Sequence, residues 1–260
     1  MSAILARIPS SMTASVLTLR GVAKTFARGL ARAARRTAAL CEVDLDLAPG
    51  EIVALNGAEG AGKTTLLQCA SGLLRIDAGE VRWFGDAFPG GGIVPGVAFV
   101  PAVPVFYPFL TVRDVLAYRA SRDGSPWEQA GGLIERATRS LDLSARASER
   151  VVLLTRAEVK RLAVAEALAF GPRAILLDTC TSDMSAAVCP ITCRALESFA
   201  AAGGSVIIAV RDAASVASIA TRLVLLEKGK VSPSFVRAYP IDAAMPAFPP
   251  GSRFVAERLH

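Results

Sequence analysis

The sequence has almost no histidine, since its single histidine is the last residue, His260. No histidine is therefore available near any motif in the body of the chain. Cysteine is also scarce, and the five cysteines include no C-x-x-C pair. Their odd number and irregular spacing indicate reduced, mostly buried thiols and do not favour a metal site. The cysteines are Cys41, Cys69, Cys180, Cys189 and Cys193.

Long uncharged apolar runs are missing as well. The chain has 260 residues, of which 52% are hydrophobic, and its mean hydropathy is +0.43. This is enough apolar material for one large core, but no run reaches the length of about 18 residues that a membrane span needs. A role at a membrane would therefore require a partner that supplies the span. The stretch Met1–Ser15 lacks the apolar segment of a secretory signal, so we expect a cytoplasmic protein.

Aromatic residues make up only 6% of the chain, although the net charge is +6. The densest basic cluster consists of Arg28, Arg32, Arg35 and Arg36, between two predicted strands. Such a cluster can meet nucleic acid or anionic lipid. No aromatic residues are interleaved with these arginines and no nucleic-acid module accompanies them, which favours a solvated loop. We therefore expect no nucleic-acid partner.

The most informative stretch is a glycine-rich turn between a predicted strand and a predicted helix. From Gly57 to Thr64 it matches G-x-x-x-x-G-K-[ST]. In this pattern, glycines let backbone N–H groups surround phosphates. The lysine contacts the terminal phosphates, and the hydroxyl can ligate Mg²⁺. A glycine-rich turn with a chance lysine is the alternative, but the register of all the elements disfavours it. The predicted nucleotide-binding residues are Asn56, Gly57, Ala58, Glu59, Gly60, Ala61, Gly62, Lys63, Thr64 and Thr65.

Hydrophobic patterns on either side of this turn predict an alternation of strands and helices. The predicted strands are Val16–Arg20, Cys41–Leu47, Val81–Phe84, Val97–Val100, Ala174–Asp178, Ser205–Val210 and Leu223–Leu226. Helices are expected after a capping box at Thr111 and Asp114, and over Glu128–Leu141 and Glu158–Phe170. The alternation indicates an α/β sheet, in which ligands sit at the carboxyl ends of the strands. That places Gly57, Asp178 and Arg211 at one edge.

The order of these pieces resembles the nucleotide-binding subunit of ABC transporters, over roughly Val16 to Val231. The resemblance implies a P-loop nucleoside triphosphate hydrolase fold of ABC type, with a mostly parallel core sheet, an antiparallel β flap and an inserted helical subdomain. It also implies an N-terminal tail (1–15), an ATP-binding domain (16–231) and a Pro/Ala-rich extension (232–260). Within the domain, the core would comprise 16–102 and 166–231, and the helical subdomain 103–165.

Carried over residue by residue, the resemblance implies a site for ATP and Mg²⁺. Phe26 stands where the family stacks an aromatic ring on adenine, although a core position is an alternative for this residue. Thr64 and Asp178 correspond to the Mg²⁺ ligands. In the family, two subunits face each other head to tail around ATP, so we expect a homodimer or a heterodimer with another ATP-binding subunit.

Three positions and the signature motif depart from the family pattern where it acts on the nucleotide. Ala102 occupies the position of the family's glutamine, which senses metal and water. Thr179 occupies the position of the family's glutamate, which serves as the general base. Arg211 replaces the switch histidine. Asp183 is an alternative base, although its neighbours predict that it points elsewhere. The signature motif LSGGQ corresponds to Leu154 followed by the signature-like residues Thr155, Arg156, Ala157 and Glu158.

The sequence therefore predicts an ATP-binding subunit that binds ATP·Mg²⁺ and hydrolyses it weakly or not at all, because a threonine hydroxyl is too weak a base. The alternatives are an active transport ATPase with compensating residues, a non-transport ATP-binding switch or scaffold, and a vestigial site. By the same resemblance, the insertion Val103–Ala165 would receive a transmembrane permease subunit and hold the chain at the inner face of the membrane. Alternatively, Phe106, Tyr107 and Phe109 form only a local core.

Overall fold

The computed structural model of the chain describes residues 15–28, 35–88, 90–122, 127–169, 171–179, 190–232 and 237–238. Arg32, Cys180, Asp183 and Cys189 lie outside the described residues. The strands are β1 (Leu17–Arg28), β2 (Arg35–Leu47), β3 (Ile52–Asn56), β4 (Ala78–Trp83), β5 (Asp86–Ala87), β6 (Val97–Val100), β7 (Ala174–Asp178), β8 (Ser205–Val210), β9 (Arg222–Glu227), β10 (Lys230–Val231) and β11 (Arg237–Ala238). The helices are α1 (Lys63–Ala70), α2 (Val112–Arg122), α3 (Trp127–Ser140), α4 (Arg156–Ala169) and α5 (Pro190–Ala201).

A mostly parallel sheet forms the centre of the fold, as predicted. Its strand order is β10-β9-β3-β8-β7-β6, and β11 also pairs with β9. The neighbours from β9 to β6 are parallel, whereas β10 and β11 run antiparallel to β9. Strand β11 belongs to the predicted extension 232–260, so at least two residues of that segment join the main sheet.

The central strands are covered on both faces, which explains their continuous apolar sequences. All residues of β7 and β8 are buried. Alternate side chains enter two different cores: Ile175 and Leu177 pack in one, Leu176 in the other. Helices α2, α3, α4 and α5 contribute to the first core, and α1 and the first β-strands contribute to the second. Because side chains alternate along a strand, one short sequence holds both layers of the molecule together.

The predicted β flap is a four-stranded antiparallel sheet with the order β2-β1-β4-β5. Trp83 fastens this sheet to α1, since its buried indole N–H donates to the carbonyl oxygen of Ala70 at 2.7 Å. The prediction ended β1 too early and started β2 too late. Arg28 pairs with Arg35 in the ladder between β1 and β2, so these arginines belong to strands instead of a loop.

Three helices build the insertion between β6 and β7. The predicted capping box at the start of α2 is confirmed, since the N–H of Thr111 donates to Asp114 and the N–H of Asp114 donates to the Thr111 hydroxyl. Helix α4 begins in the insertion and continues to Ala169. The predicted border at 165/166 therefore falls within one continuous helix, which joins the insertion to the core.

Candidate nucleotide-binding site

The carboxyl ends of three neighbouring strands bring the predicted site residues to one edge. In the parallel register, Asn56 of β3 lies opposite Val210 of β8, and Asp178 of β7 lies opposite Ala209. The loop that follows β3, the residue Thr179 after β7 and Arg211 after β8 therefore start from adjacent positions. This arrangement matches the expectation that ligands bind at the carboxyl edge of such a sheet.

The loop between β3 and α1 is shaped by glycines that have no room for a side chain. A Cβ atom at Gly57 would lie 2.2 Å from the carbonyl oxygen of Leu226, and one at Gly62 would lie 2.4 Å from that of Ala39. Gly62 also has φ of 107° and directly precedes α1. The glycines thus allow a close fold of the loop against β9 and β2.

Lys63 turns its ammonium group into this loop. The residue is 4% exposed, and its Nζ donates to the carbonyl oxygens of Gly57 at 2.5 Å and Ala58 at 2.8 Å. A buried ammonium is stable only when it is paired or hydrogen-bonded. The carbonyl oxygens of Gly57 and Ala58 thus bind the Lys63 ammonium group inside the loop, where the sequence pattern predicts that it contacts phosphate oxygens.

A contact between segments that are far apart in the chain supports the loop from outside. The N–H of Gly229, in the turn between β9 and β10, donates to the carbonyl oxygen of Ala61 at 2.9 Å. The carbonyl oxygen of Gly229 accepts from Cys41 at 2.8 Å. The turn therefore connects the loop to β2, a contact that no local sequence pattern predicts.

Asp178 is the last residue of β7 and is 1% exposed. Its carbonyl oxygen accepts a hydrogen bond of 2.8 Å from Nζ of Lys160, on α4. The same ammonium donates to the carbonyl oxygens of Pro101 at 2.5 Å and Ala102 at 3.3 Å, after β6. Lys160 was only part of a helix pattern in the sequence, yet it ties the ends of two strands to the helical insertion.

Thr179 follows Asp178 and is 3% exposed. Its N–H donates to the carbonyl oxygen of Ala209 at 3.1 Å, and its hydroxyl donates to the same oxygen. The hydroxyl proton is therefore committed to the main chain of β8. The bond prolongs the ladder between β7 and β8, and the hydroxyl keeps its acceptor lone pairs. A threonine hydroxyl is nevertheless too weak a base to take a proton from water.

Arg211 and Glu59 meet at the open side of the loop. Nη2 of Arg211 lies 3.1 Å from Oε2 of Glu59, and their side chains are 40% and 82% exposed. The sequence singled out both positions separately, one in the loop and one after β8. The ion pair that joins them depends on the parallel pairing of β3 with β8.

The signature-like residues form the capped start of α4. The N–H and the hydroxyl of Thr155 both donate to Oε2 of Glu158 at 2.8 Å, and the N–H of Glu158 donates back to that hydroxyl at 3.3 Å. Arg146 adds an ion pair to Oε1 of Glu158 at 3.2 Å. The hydrogen bonds from Thr155, followed by the nearby arginines, lower the pKa of the Glu158 carboxyl group. The reciprocal bonds are those of a capping box.

Phe26 does not lie in the core, because 41% of its surface is exposed. It sits on β1 opposite Thr37 of β2, and Nζ of Lys24 is 5.9 Å from the centre of its ring. The alternative of a core phenylalanine is therefore excluded. Its role as the adenine-stacking residue stays a prediction.

Comparisons with known proteins agree with this geometry. The family model described as ABC transporter matches residues 40–182, which is more than half of the chain. The Halobacterium salinarum protein VNG_2317G, named as an ABC transporter ATP-binding protein, is 32% identical over 210 residues, or 79% of this chain and 89% of the relative. The cytochrome c biogenesis ATP-binding export protein CcmA of Bordetella bronchiseptica is 34% identical over 171 residues, or 64% of this chain and 75% of the relative.

Among solved structures, the dimeric post-hydrolysis state of the ATP-binding cassette MJ0796, bound to ADP and Pi, superposes with a TM-score of 0.68. The identity is 21%, and the match covers 87% of this chain and 99% of that chain. Within the part of the chain that the structure describes, no helix has the length and apolarity that a bilayer crossing requires. The phosphate loop, the carboxyl-edge site, the family match and the relatives lead to one conclusion: the chain belongs to the ABC transporter family, as an ATP-binding subunit.

Proposed function

We propose that this subunit binds ATP·Mg²⁺ tightly and hydrolyses it slowly or not at all. The observation that carries the proposal is the state of Thr179, the residue at the general-base position. Its hydroxyl is buried and donates to the carbonyl oxygen of Ala209. General-base catalysis is typically worth about 10²–10⁴-fold in rate, so loss of the base is expected to leave binding intact and remove most of the turnover.

The loop residues 56–65 are the proposed binding residues for the phosphates of ATP. Gly57 and Gly62 let the loop pack against the main chain of Leu226 and Ala39, where a Cβ atom would clash, and Lys63 directs its ammonium group into the loop. Thr64 and Asp178 would hold Mg²⁺, since hydroxyl and carboxylate oxygens are hard ligands that suit this ion. The ion would neutralise phosphate charge. Phe26, exposed on β1, would contact the adenine ring.

The remaining departures also favour binding over turnover. Ala102 has no polar side-chain atom, and its main-chain carbonyl oxygen lies against Lys160. Arg211 stays charged and only donates hydrogen bonds, so it can hold an anion but cannot accept a proton as histidine can. Binding that is equal in the ground state and in the transition state does not accelerate chemistry.

We infer a permease partner from an exposed apolar patch on the insertion. The patch comprises Val103, Val105, Tyr107, Phe109, Val152 and Leu153, all of them highly exposed. Its two segments are adjacent, because Val151 and Val152 donate main-chain hydrogen bonds to Leu110 and Pro108. The predicted local core accounts for Phe106, which packs against the core, but not for Tyr107 and Phe109. Exposed apolar patches commonly mark interaction sites.

A permease bound to this patch would place the chain at the inner face of the membrane, as in the transporters that the sequence resembles. The dimeric cassette MJ0796 supports a second ATP-binding subunit, either another copy of this chain or a related one. In the proposed domain organisation, 16–102 and 166–231 form the ATP-binding core, 103–165 is the helical subdomain, and 1–15 and 232–260 flank them.

A binding assay combined with a turnover assay tests this function. We expect ATP·Mg²⁺ to bind to the intact chain, and the dissociation constant to rise at least about tenfold in Lys63→Ala and in Asp178→Asn, since charge-assisted contacts to phosphate or metal are lost. Steady-state turnover should lie about 10²–10⁴-fold below 1 s⁻¹, the lower end of typical enzyme rates. A Lys63-dependent turnover near 1 s⁻¹ would contradict slow hydrolysis, and the absence of ATP binding would contradict the whole proposal.

A further inference from the structure

Glu59, a predicted nucleotide-binding residue, and Arg211, at the position of the family's switch histidine, are partners of each other. Glu59 lies in the middle of the phosphate loop, and Arg211 directly follows β8. Strands β3 and β8 are parallel neighbours up to Asn56 and Val210, so the segments that follow them are held side by side. The distance of 3.1 Å between Nη2 and Oε2 is that of a charge-assisted hydrogen bond or close ion pair.

The chain thus supplies oxygen partners to two cations of the site, Lys63 and Arg211. Lys63 is held by two carbonyl oxygens of the loop, and Arg211 is held by the carboxylate of Glu59. A carboxylate and a phosphate are the same kind of partner for a guanidinium group, since both are anions that accept hydrogen bonds from its fork of N–H donors. The Glu59 carboxylate therefore binds the Arg211 guanidinium group, to which an incoming phosphate would also bind.

We propose that Glu59 competes with the terminal phosphate of a nucleoside triphosphate for Arg211, and that this competition lowers the preference of the site for triphosphates over diphosphates. A triphosphate offers Arg211 a doubly charged group in exchange for the carboxylate. A diphosphate lacks that group and leaves the ion pair between Glu59 and Arg211 in place. The proposal rests on the proposed nucleotide binding at the loop and adds a residue pair that selects among nucleotides.

The exposure of the pair limits the size of the effect. Ion pairs with this much solvent contact change an equilibrium constant by up to about fivefold. Simple repulsion between Glu59 and the phosphates also weakens binding, and in water this repulsion is worth about twofold for unit charges about a Debye length apart. Competition and repulsion differ in how they depend on Arg211, which makes them separable.

A double-mutant cycle provides the test. The dissociation constants of ATP·Mg²⁺ and ADP·Mg²⁺ are measured by calorimetry for the intact chain, Glu59→Gln, Arg211→Gln and the double variant. Competition predicts that Glu59→Gln tightens ATP binding about three- to fivefold and ADP binding less than about twofold. In the Arg211→Gln background, the same change should tighten ATP binding by less than about twofold, because nothing remains to be released.

The sign of the coupling decides the outcome. The proposal is overturned if Glu59→Gln tightens ATP binding in the Arg211→Gln background as much as in the intact chain, or more. In that case Glu59 only repels the phosphates, and Arg211 only screens this repulsion. The proposal is also overturned if Glu59→Gln leaves ATP binding unchanged or weaker, or tightens ADP binding to the same extent. Glu80→Gln is the matched control, since Glu80 forms an exposed ion pair with Arg82 on the flap at 2.8 Å, and it should change neither constant. Loss of ATP binding in the intact chain would instead contradict the nucleotide site itself.

Discussion

At the scale of single residues, the phosphate loop depends on glycines whose environments differ within a few positions. Gly62 has φ of 107°, and a Cβ atom there would meet the carbonyl oxygen of Ala39 at 2.4 Å. Gly60 has φ of 76° but nothing within 4 Å of its added Cβ. The two positions therefore separate the cost of a left-handed backbone from the cost of a clash with the main chain.

We expect Gly62→Ala to lower the free energy of unfolding by at least about 3 kcal/mol, because backbone strain adds to an overlap that only a shift of β2 or the loop can relieve. Gly60→Ala, the matched control, should cost about 1–2 kcal/mol from the left-handed backbone alone. Urea denaturation measures both changes. Equal destabilisation by the two variants would show that the loop relaxes freely away from Ala39.

The sequence predicts single residues well where the chemistry is local. The phosphate loop was recognisable because its residues lie within one short segment. The contacts of Lys160 with Ala102 and Asp178, and the support of the loop by Gly229, were not predictable, because they join segments that are far apart in the chain. The sequence places Glu59 and Arg211 in two separate motifs, and their pairing follows only from the order of strands in the sheet.

At the scale of secondary structure, α4 is the element that connects the insertion to the site. Its start is capped by Thr155 and Glu158, and its Lys160 reaches the ends of β6 and β7. The pKa of the Glu158 carboxyl group is lowered in the folded chain, first by the hydrogen bonds from Thr155. A group with a lowered folded-state pKa stabilises the fold above its unfolded pKa, about 4.3 for glutamate, and loses that contribution as the pH falls through the folded value.

We expect Glu158→Ala to reduce the free energy of unfolding by about 1 kcal/mol at pH 7, the usual value of a lost helix cap. The difference from the intact chain should shrink as the pH falls below about 4.3. Glu158→Gln keeps an acceptor oxygen without the charge, so it should cost less at pH 7. Its difference from the intact chain should also shrink as the pH falls, because the titrating carboxyl group belongs to the intact chain. Denaturation series at several pH values measure these differences, and a pH-independent cost of Glu158→Ala would contradict the ionic part of the cap.

Element boundaries were predictable to the extent that apolar patterns mark them. The strands Val97–Val100, Ala174–Asp178 and Ser205–Val210 match the prediction in both bounds, because all their residues are apolar except Ser205 and Asp178, which stand at strand ends. Strands β1 and β2 extend past the prediction, since their outer halves carry exposed residues such as Arg36. The two-residue strands β10 and β11 were missed because their pairing is a tertiary property.

At the scale of the whole molecule, one sheet separates two cores with different tasks. The core with α1 and the flap supports the phosphate loop, and the core with α2, α3 and α4 supports the insertion. The carboxyl edge of the sheet lies between them, and Lys160 connects it to the insertion. The order of the predicted strands and helices was sufficient to predict this layered fold, whereas the exposure of the apolar patch required the structure.

The patch leads to a prediction about assembly. Val105 is 87% and Phe109 66% exposed, so the double variant Val105→Asp/Phe109→Asp should leave the free energy of unfolding within about 0.5 kcal/mol of the intact chain. Two carboxylates in an apolar contact would have to be desolvated, so binding to a permease should be lost. Co-expression of the tagged chain with multi-span proteins encoded by neighbouring genes, followed by purification in detergent, measures this binding.

Ile93→Asp is the matched control, because Ile93 is 77% exposed and precedes β6, outside the insertion. The control should retain the permease, and retention by the double variant at the level of the intact chain would place the permease contact elsewhere on the molecule.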